Sequence, residues 1–166
     1  MNDAFAPVVA SIKQKIALHG HVIMGIGGGK CYMCGDGAEH EHAVPFCYTV
    51  GLIKHGFPEM IVFALDVRDG HRILDHLANM MRRNLTAFVH GQQISLGGRF
   101  PLLAIETDLP EVWSQYVTMP RRVFGRRDYS VVQLLMPDAN GLYPPHCGSP
   151  YDKAPILSSR YPIGGH

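Results

Sequence analysis

The chain has 166 residues, of which 46% are hydrophobic and 17% are charged, and its formal net charge is +1. A composition this apolar excludes a disordered chain, and the nearly neutral charge argues against a nucleic-acid partner. No apolar run approaches the roughly 18 residues that a membrane span needs, and no secretory signal is visible. We therefore expect a cytoplasmic protein without a membrane segment, folded as a single domain over residues 1–166.

The first part of the chain predicts one helix followed by three strands. Apolar residues recur at helical spacing within residues 1–19, at Phe5, Val8, Ile12 and Ile16. Short apolar segments at residues 21–26, 44–52 and 60–65 predict strands. The last of these segments is apolar throughout, which is typical of a strand buried on both faces.

A long helix and a hairpin are predicted next. Residues 66–69 are typical of a helix start. The helix is expected to run to about Asn84, with an apolar stripe formed by Ile73, Leu74, Leu77 and Met81. Residues 86–90 and 93–96 predict the two arms of a hairpin around Gly91.

The last part of the chain predicts two strands, a short helix and a tail. Residues 100–107 and 129–136 are apolar and strand-like. Between them, Asp108 is a predicted N-cap with Pro110 in the first helical turn. The residues from about 143 onward are rich in proline and glycine, and we expect them to form an extended tail over the body of the domain.

Together these elements predict an α+β (or α/β) domain. We expect the sheet to be mixed or antiparallel. The sheet should contain about five to six strands, with two to three helices packed on it.

Residues 25–52 contain three of the four cysteines and two closely spaced histidines. Cys31 and Cys34 form a C-x-x-C pair, and His40 and His42 form an H-x-H pair soon after it. Two residues between cysteines is the spacing of zinc knuckles and fingers, and these four side chains could complete a tetrahedral zinc site. Other residues of the stretch could replace a histidine as ligand: Asp36, Glu39, Glu41 and Cys47.

Two other interpretations of the same stretch remain open. A C-x-x-C pair at a helix N-terminus would be redox-active, but Gly35, Asp36 and Gly37 follow this pair and argue against such a helix. The stretch could also be an exposed loop whose cysteines and histidines have no role. The preceding glycines do not form a phosphate-binding loop, because Met24 and Cys31 stand where that motif needs glycine and Ser or Thr.

Pro120 is expected to interrupt the chain after the short helix, and four arginines follow it, at Arg121, Arg122, Arg126 and Arg127. Arginine side chains match the geometry of phosphate, so this cluster could bind an anion. We favour a solvated surface, since Asp128 and earlier acidic residues balance the positive charge.

Three segments stand in a characteristic order along the chain. They are Phe-Cys-Tyr-Thr-Val-Gly-Leu at residues 46–52, a turn with Phe-Pro-Glu at residues 57–59, and residues 132–144 with their Pro-Asp and Tyr-Pro pairs. In this order they resemble the bacterial family catalogued as domain of unknown function 4262. The chain departs from the family pattern at Phe57, where histidine is usual, and at Met136, where tryptophan is common. The resemblance implies a soluble bacterial α/β protein and implies no activity.

The same segments hold polar side chains within or beside apolar strands, at Tyr48, Thr49, Glu59, Gln133, Asp138 and Tyr143. These side chains could converge on one ligand-binding pocket. Alternatively, Glu59 and Asp138 cap turns and Thr49 forms a hydrogen bond across the sheet, since buried polar groups are usually satisfied within the fold.

Two functions are compatible with these residues. The first is a zinc-stabilised binding or regulatory module, in which four protein ligands close the coordination of the metal. Its partner would be another protein or a small molecule. The second is a metal-dependent hydrolase, in which three ligands leave a place for an activated water and Glu41 or Glu59 acts as general base. The number of protein ligands discriminates between the two.

Overall fold

The computed structural model of the chain describes residues 3–31, 40–42 and 44–161, with the backbone alone at residues 29–31 and 40–42. The helices in this part of the chain are α1 (Ala6–His19), α2 (Val67–Asn84), α3 (Pro110–Trp113) and α4 (Met119–Phe124). The strands are β1 (Val22–Ile26), β2 (Gly29–Cys31), β3 (His40–His42), β4 (Phe46–Val50), β5 (Glu59–Phe63), β6 (Gln93–Ile94), β7 (Leu102–Glu106) and β8 (Val131–Leu135).

Six strands form one mixed sheet in the order β1–β4–β5–β8–β7–β6. The central pair, β5 and β8, is parallel, and every other pair in this sheet is antiparallel. The remaining two strands, β2 and β3, pair with each other as a separate antiparallel hairpin. These observations confirm the predicted α+β fold with a mixed sheet.

Helices cover both faces of the sheet. The core on one face contains the buried side of α2, contributed by Leu74, Leu77 and Met81. The core on the other face contains Ile12 and Ile16 of α1 together with residues of α3 and α4. Because both faces are covered, β4, β5 and β8 are buried along their whole lengths.

The start of α2 follows the predicted pattern. The carboxylate of Asp66 accepts a hydrogen bond from the backbone N–H of Arg68 at 2.9 Å, so Asp66 is the N-cap. One turn later, a Cβ atom at Gly70 would lie 2.7 Å from Sγ of Cys47. The missing side chain therefore lets α2 pack closely against β4.

The predicted N-cap at Asp108 is wrong. The N-cap of α3 is Leu109, which provides no side-chain hydrogen bond, and α3 is four residues long. The carboxylate of Asp108 instead accepts hydrogen bonds from the backbone N–H of Ser159, at 2.7 Å, and from its hydroxyl group. Ser159 of the returning tail therefore occupies the Asp108 carboxylate, which the predicted helix start would have used as its cap.

Two other local predictions also differ from the structure. Residues 86–90 form no strand, and β6 pairs with β7 instead. The reason is that the chain turns tightly here, with the side chain of Gln92 accepting the N–H of Val89. Pro120 does not interrupt the fold, because it lies in the first turn of α4, where the missing N–H costs no helical hydrogen bond.

The tail after Tyr143 returns to the sheet and contains one 3-10 turn, Tyr151–Lys153. The side chain of Gln133 donates to the carbonyl of Pro155 at 2.7 Å and accepts the N–H of Leu157 at 2.9 Å. Leu157 is fully buried in the core on the α1 face. In the part of the chain described above, the helices are too short or too polar to cross a membrane.

Candidate functional site

One edge of the sheet brings together several segments that are distant in sequence. Ile26 at the end of β1 pairs with Phe46 at the start of β4, and Phe46 pairs with Phe63 at the end of β5. Because β8 is parallel to β5, the end of β8 lies at this edge as well. We call it the carboxyl edge. The connection from β1 to β4, which carries the cysteine and histidine pairs, leaves the sheet here, and α2 begins here.

The hairpin of β2 and β3 lies within that connection. Its register places Cys31 directly opposite His40, and Gly29 opposite His42. Opposed residues of an antiparallel ladder are close cross-strand neighbours. Cys34 and the side chains of Cys31, His40 and His42 lie outside the described residues, so the zinc site stays a prediction. The described residues themselves contain no cluster of three or more histidine, cysteine or acidic side chains that could hold a metal ion.

A cavity of about 570 Å³ opens at the carboxyl edge between α2 and the loop after β8. Its wall is largely apolar and includes Ile73, Leu96, Phe100, Leu102 and Met136. Two charged side chains also line it, Arg99 and Asp138. The guanidinium carbon of Arg99 lies 5.3 Å from the centre of the Phe100 ring. This cavity can accommodate an apolar body with one charged group beside Arg99.

Asp138 shapes the loop that forms one wall of the cavity. Oδ1 accepts the backbone N–H groups of Asn140 and Leu142 at 2.8 and 2.9 Å, and Oδ2 accepts the N–H of Gly148 at 2.8 Å. These hydrogen bonds, led by the one from Gly148, hold the pKa of the Asp138 carboxyl below its usual range. The ionised side chain therefore caps this turn.

Tyr143 and Gly141 attach the same loop to the segment before β7. The hydroxyl of Tyr143 donates to the carbonyl of Pro101 at 2.7 Å. Gly141 has a φ of +80°, and a Cβ atom there would lie 2.8 Å from the ring of Phe100. The loop is thus fixed on both sides, and the cavity exists before any ligand enters.

Glu59 lies at the opposite edge of the sheet and is fully buried. Oε1 accepts the backbone N–H groups of Gly51 and Ile53 at 2.8 and 3.3 Å, and Oε2 is bonded to the hydroxyl of Thr49. That hydroxyl oxygen also accepts the N–H of Met60 at 2.9 Å. Burial raises the pKa of Glu59 to about 7, although these hydrogen bonds act in the opposite direction.

The position of Glu59 limits its chemistry. It is the first residue of β5, whereas the hairpin lies beyond the edge of the sheet at which β5 ends. The length of β5, roughly 13 Å at about 3.3 Å per residue, therefore lies between Glu59 and that edge. Each of its carboxyl oxygens is already bonded within the fold. Glu59 therefore pins the turn after β4 and is badly placed to act as a base for a metal in the hairpin.

The six polar residues singled out in the sequence occupy different parts of the sheet. Thr49 and Glu59 contact each other at one edge, and Asp138 and Tyr143 hold one loop at the carboxyl edge. Gln133 bonds the tail, and Tyr48 is buried beside Phe46 with their ring centres 6.2 Å apart. Of the six, Asp138 lines the cavity described above.

A cluster of polar side chains around the buried His21 connects the turn before β1 to α2. Nε2 of His21 lies 2.8 Å from Oδ1 of Asp75, and its Nδ1 lies 3.3 Å from the guanidinium of Arg82. Both ring nitrogens are engaged, with Nε2 donating to Asp75 and Nδ1 accepting from Arg82. Burial lowers the pKa of His21 in spite of Asp75. The cluster is a stabilising contact between elements.

Sequence reasoning missed Leu96, Arg99 and Phe100 as residues of the cavity. The available signal was the pair of glycines at Gly97 and Gly98, which marks a turn between apolar residues. Nothing local indicated that this turn would face the loop after β8, because β7 and β8 are separated by 24 residues of chain in which α3 and α4 lie.

The comparisons with known proteins give one match. No curated protein and no solved structure matches the chain. A family model described as Domain of unknown function (DUF4262) matches residues 15–150. The matched range contains the hairpin, Glu59, the cavity and the Asp138 loop. Because the match spans most of the chain, it confirms the resemblance, and the protein belongs to the family of domain of unknown function 4262.

Proposed function

We propose that the protein is a binding module that binds a small ligand in the cavity at the carboxyl edge, the edge at which a zinc-stabilised hairpin also lies. One observation carries this proposal: the sheet topology brings the cysteine and histidine hairpin, the start of α2 and an apolar cavity to the same edge. Ligand sites in sheets with parallel strands are commonly found at the carboxyl ends of those strands.

The lining of the cavity indicates the class of ligand. Its largely apolar wall favours a flat or branched apolar body, and such concave, preformed sites are typical of small-molecule binding. Arg99 supplies a cation at the rim, and within the described residues it forms no ion pair. Asp138 has its oxygens bonded to backbone N–H groups and attracts the ligand less. An apolar acid, with its anionic group at Arg99, fits these features.

The hairpin would contribute a structural metal. Cys31, Cys34, His40 and His42 are four ligands of the types that zinc prefers, and four protein ligands close its coordination. The register that sets Cys31 opposite His40 supports a common ion for both. In the alternative, a metal-dependent hydrolase, one ligand position would hold water. The separation of Glu59 from the hairpin counts against it as the base and leaves Glu41 as the candidate for that role.

Titration with an anilinonaphthalene sulfonate dye, which combines an apolar body with an anionic group, tests the cavity. We expect saturable binding to the wild type, with a rise in fluorescence. Leu96→Glu places a carboxylate in the apolar wall, so it should weaken binding at least about tenfold. Leu18→Glu is the matched control, because Leu18 is 72% exposed on α1, away from the cavity. It should bind the dye as the wild type does.

Two outcomes would count against the cavity as the binding site. One is equal dye affinity in Leu96→Glu and the wild type. The other is a dye that does not bind the folded wild-type protein at all. Arg99→Ala adds a check on the class of ligand, since it should weaken binding of the sulfonate and leave binding of the uncharged naphthalene amine unchanged.

A further inference from the structure

The four arginines that follow Pro120 separate into distinct environments. Arg126 forms two hydrogen bonds with the carboxylate of Asp128, at 2.9 and 3.2 Å. The guanidinium of Arg122 stacks on the ring of Phe5 at 3.8 Å. Arg121 and Arg127 line two neighbouring cavities, and Arg122 also lines the larger of them. Within the cluster, one arginine is therefore paired with a carboxylate, one is stacked on a ring, and two line both cavities.

The two cavities are neighbours, because Arg121 and Arg127 line both of them. The smaller cavity measures about 250 Å³ and the larger about 600 Å³. The wall of the smaller one combines a proline with aromatic and polar residues: Pro110, Glu111, Trp113, Ser114 and Tyr129. The wall of the larger one is formed mainly by arginine. We call the two cavities together the arginine groove, which has one aromatic end and one cationic end.

The aromatic end of the groove is rigid. The rings of Trp113 and Tyr129 lie 5.0 Å apart at an angle of 54°, and both side chains are largely buried. The hydroxyl of Tyr129 donates to the carbonyl of Val117 at 2.7 Å, which fixes the orientation of the ring. A flat ligand would meet this wall without having to order it, and a preorganised wall lowers the entropic cost of binding.

The cationic end carries charge that the described part of the chain does not neutralise. Arg121 and Arg127 form no ion pair there, whereas Arg126 is paired with Asp128. Burial raises the pKa of Tyr129 to about 12, and the charges of Arg121 and Arg127 act in the opposite direction. Both guanidinium groups are therefore close enough to Tyr129 for their positive charge to act on it.

We infer that the arginine groove binds a phosphate monoester that also carries a flat ring, as a nucleoside monophosphate does. The phosphate lies between Arg121 and Arg127, whose planar guanidinium groups match phosphate oxygens. The ring lies against Pro110 and the edges of Trp113 and Tyr129. Glu111 can accept a hydrogen bond from a hydroxyl group of the ligand. The site is distinct from the cavity at the carboxyl edge, since Tyr129 lies before β8 at the opposite edge of the sheet.

Isothermal titration calorimetry with adenosine monophosphate and, separately, with inorganic phosphate tests this inference. We expect adenosine monophosphate to bind the wild type more tightly than inorganic phosphate does. Arg121→Gln and Arg127→Gln should each weaken it about tenfold or more. Arg126→Gln is the matched control, because it removes the same charge from the same segment without touching the groove, and it should change the affinity less than about twofold.

Each other result would overturn a stated part of the inference. Equal loss of affinity in Arg126→Gln and Arg127→Gln would mean that net charge, not the groove, attracts the ligand. Equal affinity for phosphate and for adenosine monophosphate would remove the role of the aromatic wall. Binding of neither compound to the folded wild type would remove the site. Circular dichroism of each variant separates these results from loss of folding.

Discussion

Glu59→Gln should remove most of the decline in stability that the wild-type protein shows as the pH rises from mildly acidic to alkaline. Burial raises the pKa of Glu59 from 4.5 to about 7 in the folded protein. The folded chain thus holds this proton more tightly than the unfolded chain does. The resulting stability is fully present below about pH 4.5 and is lost as the pH rises through about 7. At about 1.4 kcal/mol per unit of pKa, the loss from below pH 4.5 to above pH 7 is about 3 kcal/mol, and about 1.4 kcal/mol of it falls above pH 6.

Glutamine is a suitable replacement because it keeps the shape of the buried group without the ionisation. Its amide oxygen can accept the N–H groups of Gly51 and Ile53, as Oε1 of Glu59 does. Its NH₂ group faces the hydroxyl of Thr49. The free energy of unfolding should therefore stay nearly level between about pH 6 and about pH 9 in the variant, while it falls in the wild type.

Urea unfolding across that pH range makes the comparison. Glu111→Gln is the control, because Glu111 is an exposed carboxylate and its loss should leave the alkaline decline in place. On the acid side His21 acts in the opposite direction in the wild type and in both variants, because burial lowers its pKa and the unfolded chain gains its proton below about pH 6.5. Parallel pH profiles for the wild type and Glu59→Gln would contradict the assignment.

Gln133→Leu should release the tail from the sheet. The side chain of Gln133 is fully buried and forms two hydrogen bonds with the tail, to the carbonyl of Pro155 and from the N–H of Leu157. Leucine fits the same space and makes neither bond, so it leaves two buried backbone groups without partners. Each unsatisfied group costs about 1–3 kcal/mol, which makes this one of the most damaging substitutions expected on the α1 face.

Hydrogen exchange of residues 154–160 and the free energy of unfolding together measure this effect. We expect the tail amides to lose protection before the amides of the central strands do. Arg160→Ala is the control, since the pair of Arg160 with Glu106 is exposed and such pairs contribute about 0–1 kcal/mol. Unchanged protection of the tail in Gln133→Leu would show that other contacts hold it.

The elements with strong local patterns were predictable from the sequence. The helix-start pattern of residues 66–69 and the apolar stripe predicted α2 close to its observed bounds. The apolar runs predicted β4, β5 and β8 within about two residues, the usual uncertainty at element ends. The capping pattern at Asp108 failed for a physical reason. Ser159, far away in sequence, binds the carboxylate that the pattern assigns to a helix.

The candidate sites were predictable only as sets of residues. Polar side chains inside apolar strands identified Thr49, Glu59 and Gln133 as unusual, and the structure gives each of them hydrogen-bond partners. The cavity and the arginine groove depend on which strands pair and on how the loops between them return. The cavity wall combines residues of α2, the segment before β7 and the loop after β8. No periodicity within any one segment contains that information.

For the cysteine and histidine hairpin, too, the residues were predictable from the sequence and their placement in the fold was not. The residue types and their spacing predict zinc, while its place at the same edge of the sheet as the cavity follows from the order of the strands and their register. A closed metal site would fix the hairpin at the edge of the sheet where the preformed cavity also lies.

Zinc content, measured on protein purified without a histidine tag, tests this account most directly. Wild type, Cys31→Ser and Cys147→Ser are compared, with Cys147 as the control because it is a free, half-buried cysteine in the loop held by Asp138. We predict about one zinc ion per chain in the wild type and in Cys147→Ser, and none in Cys31→Ser. A wild-type protein without zinc, or a Cys31→Ser protein that keeps it, would contradict the account.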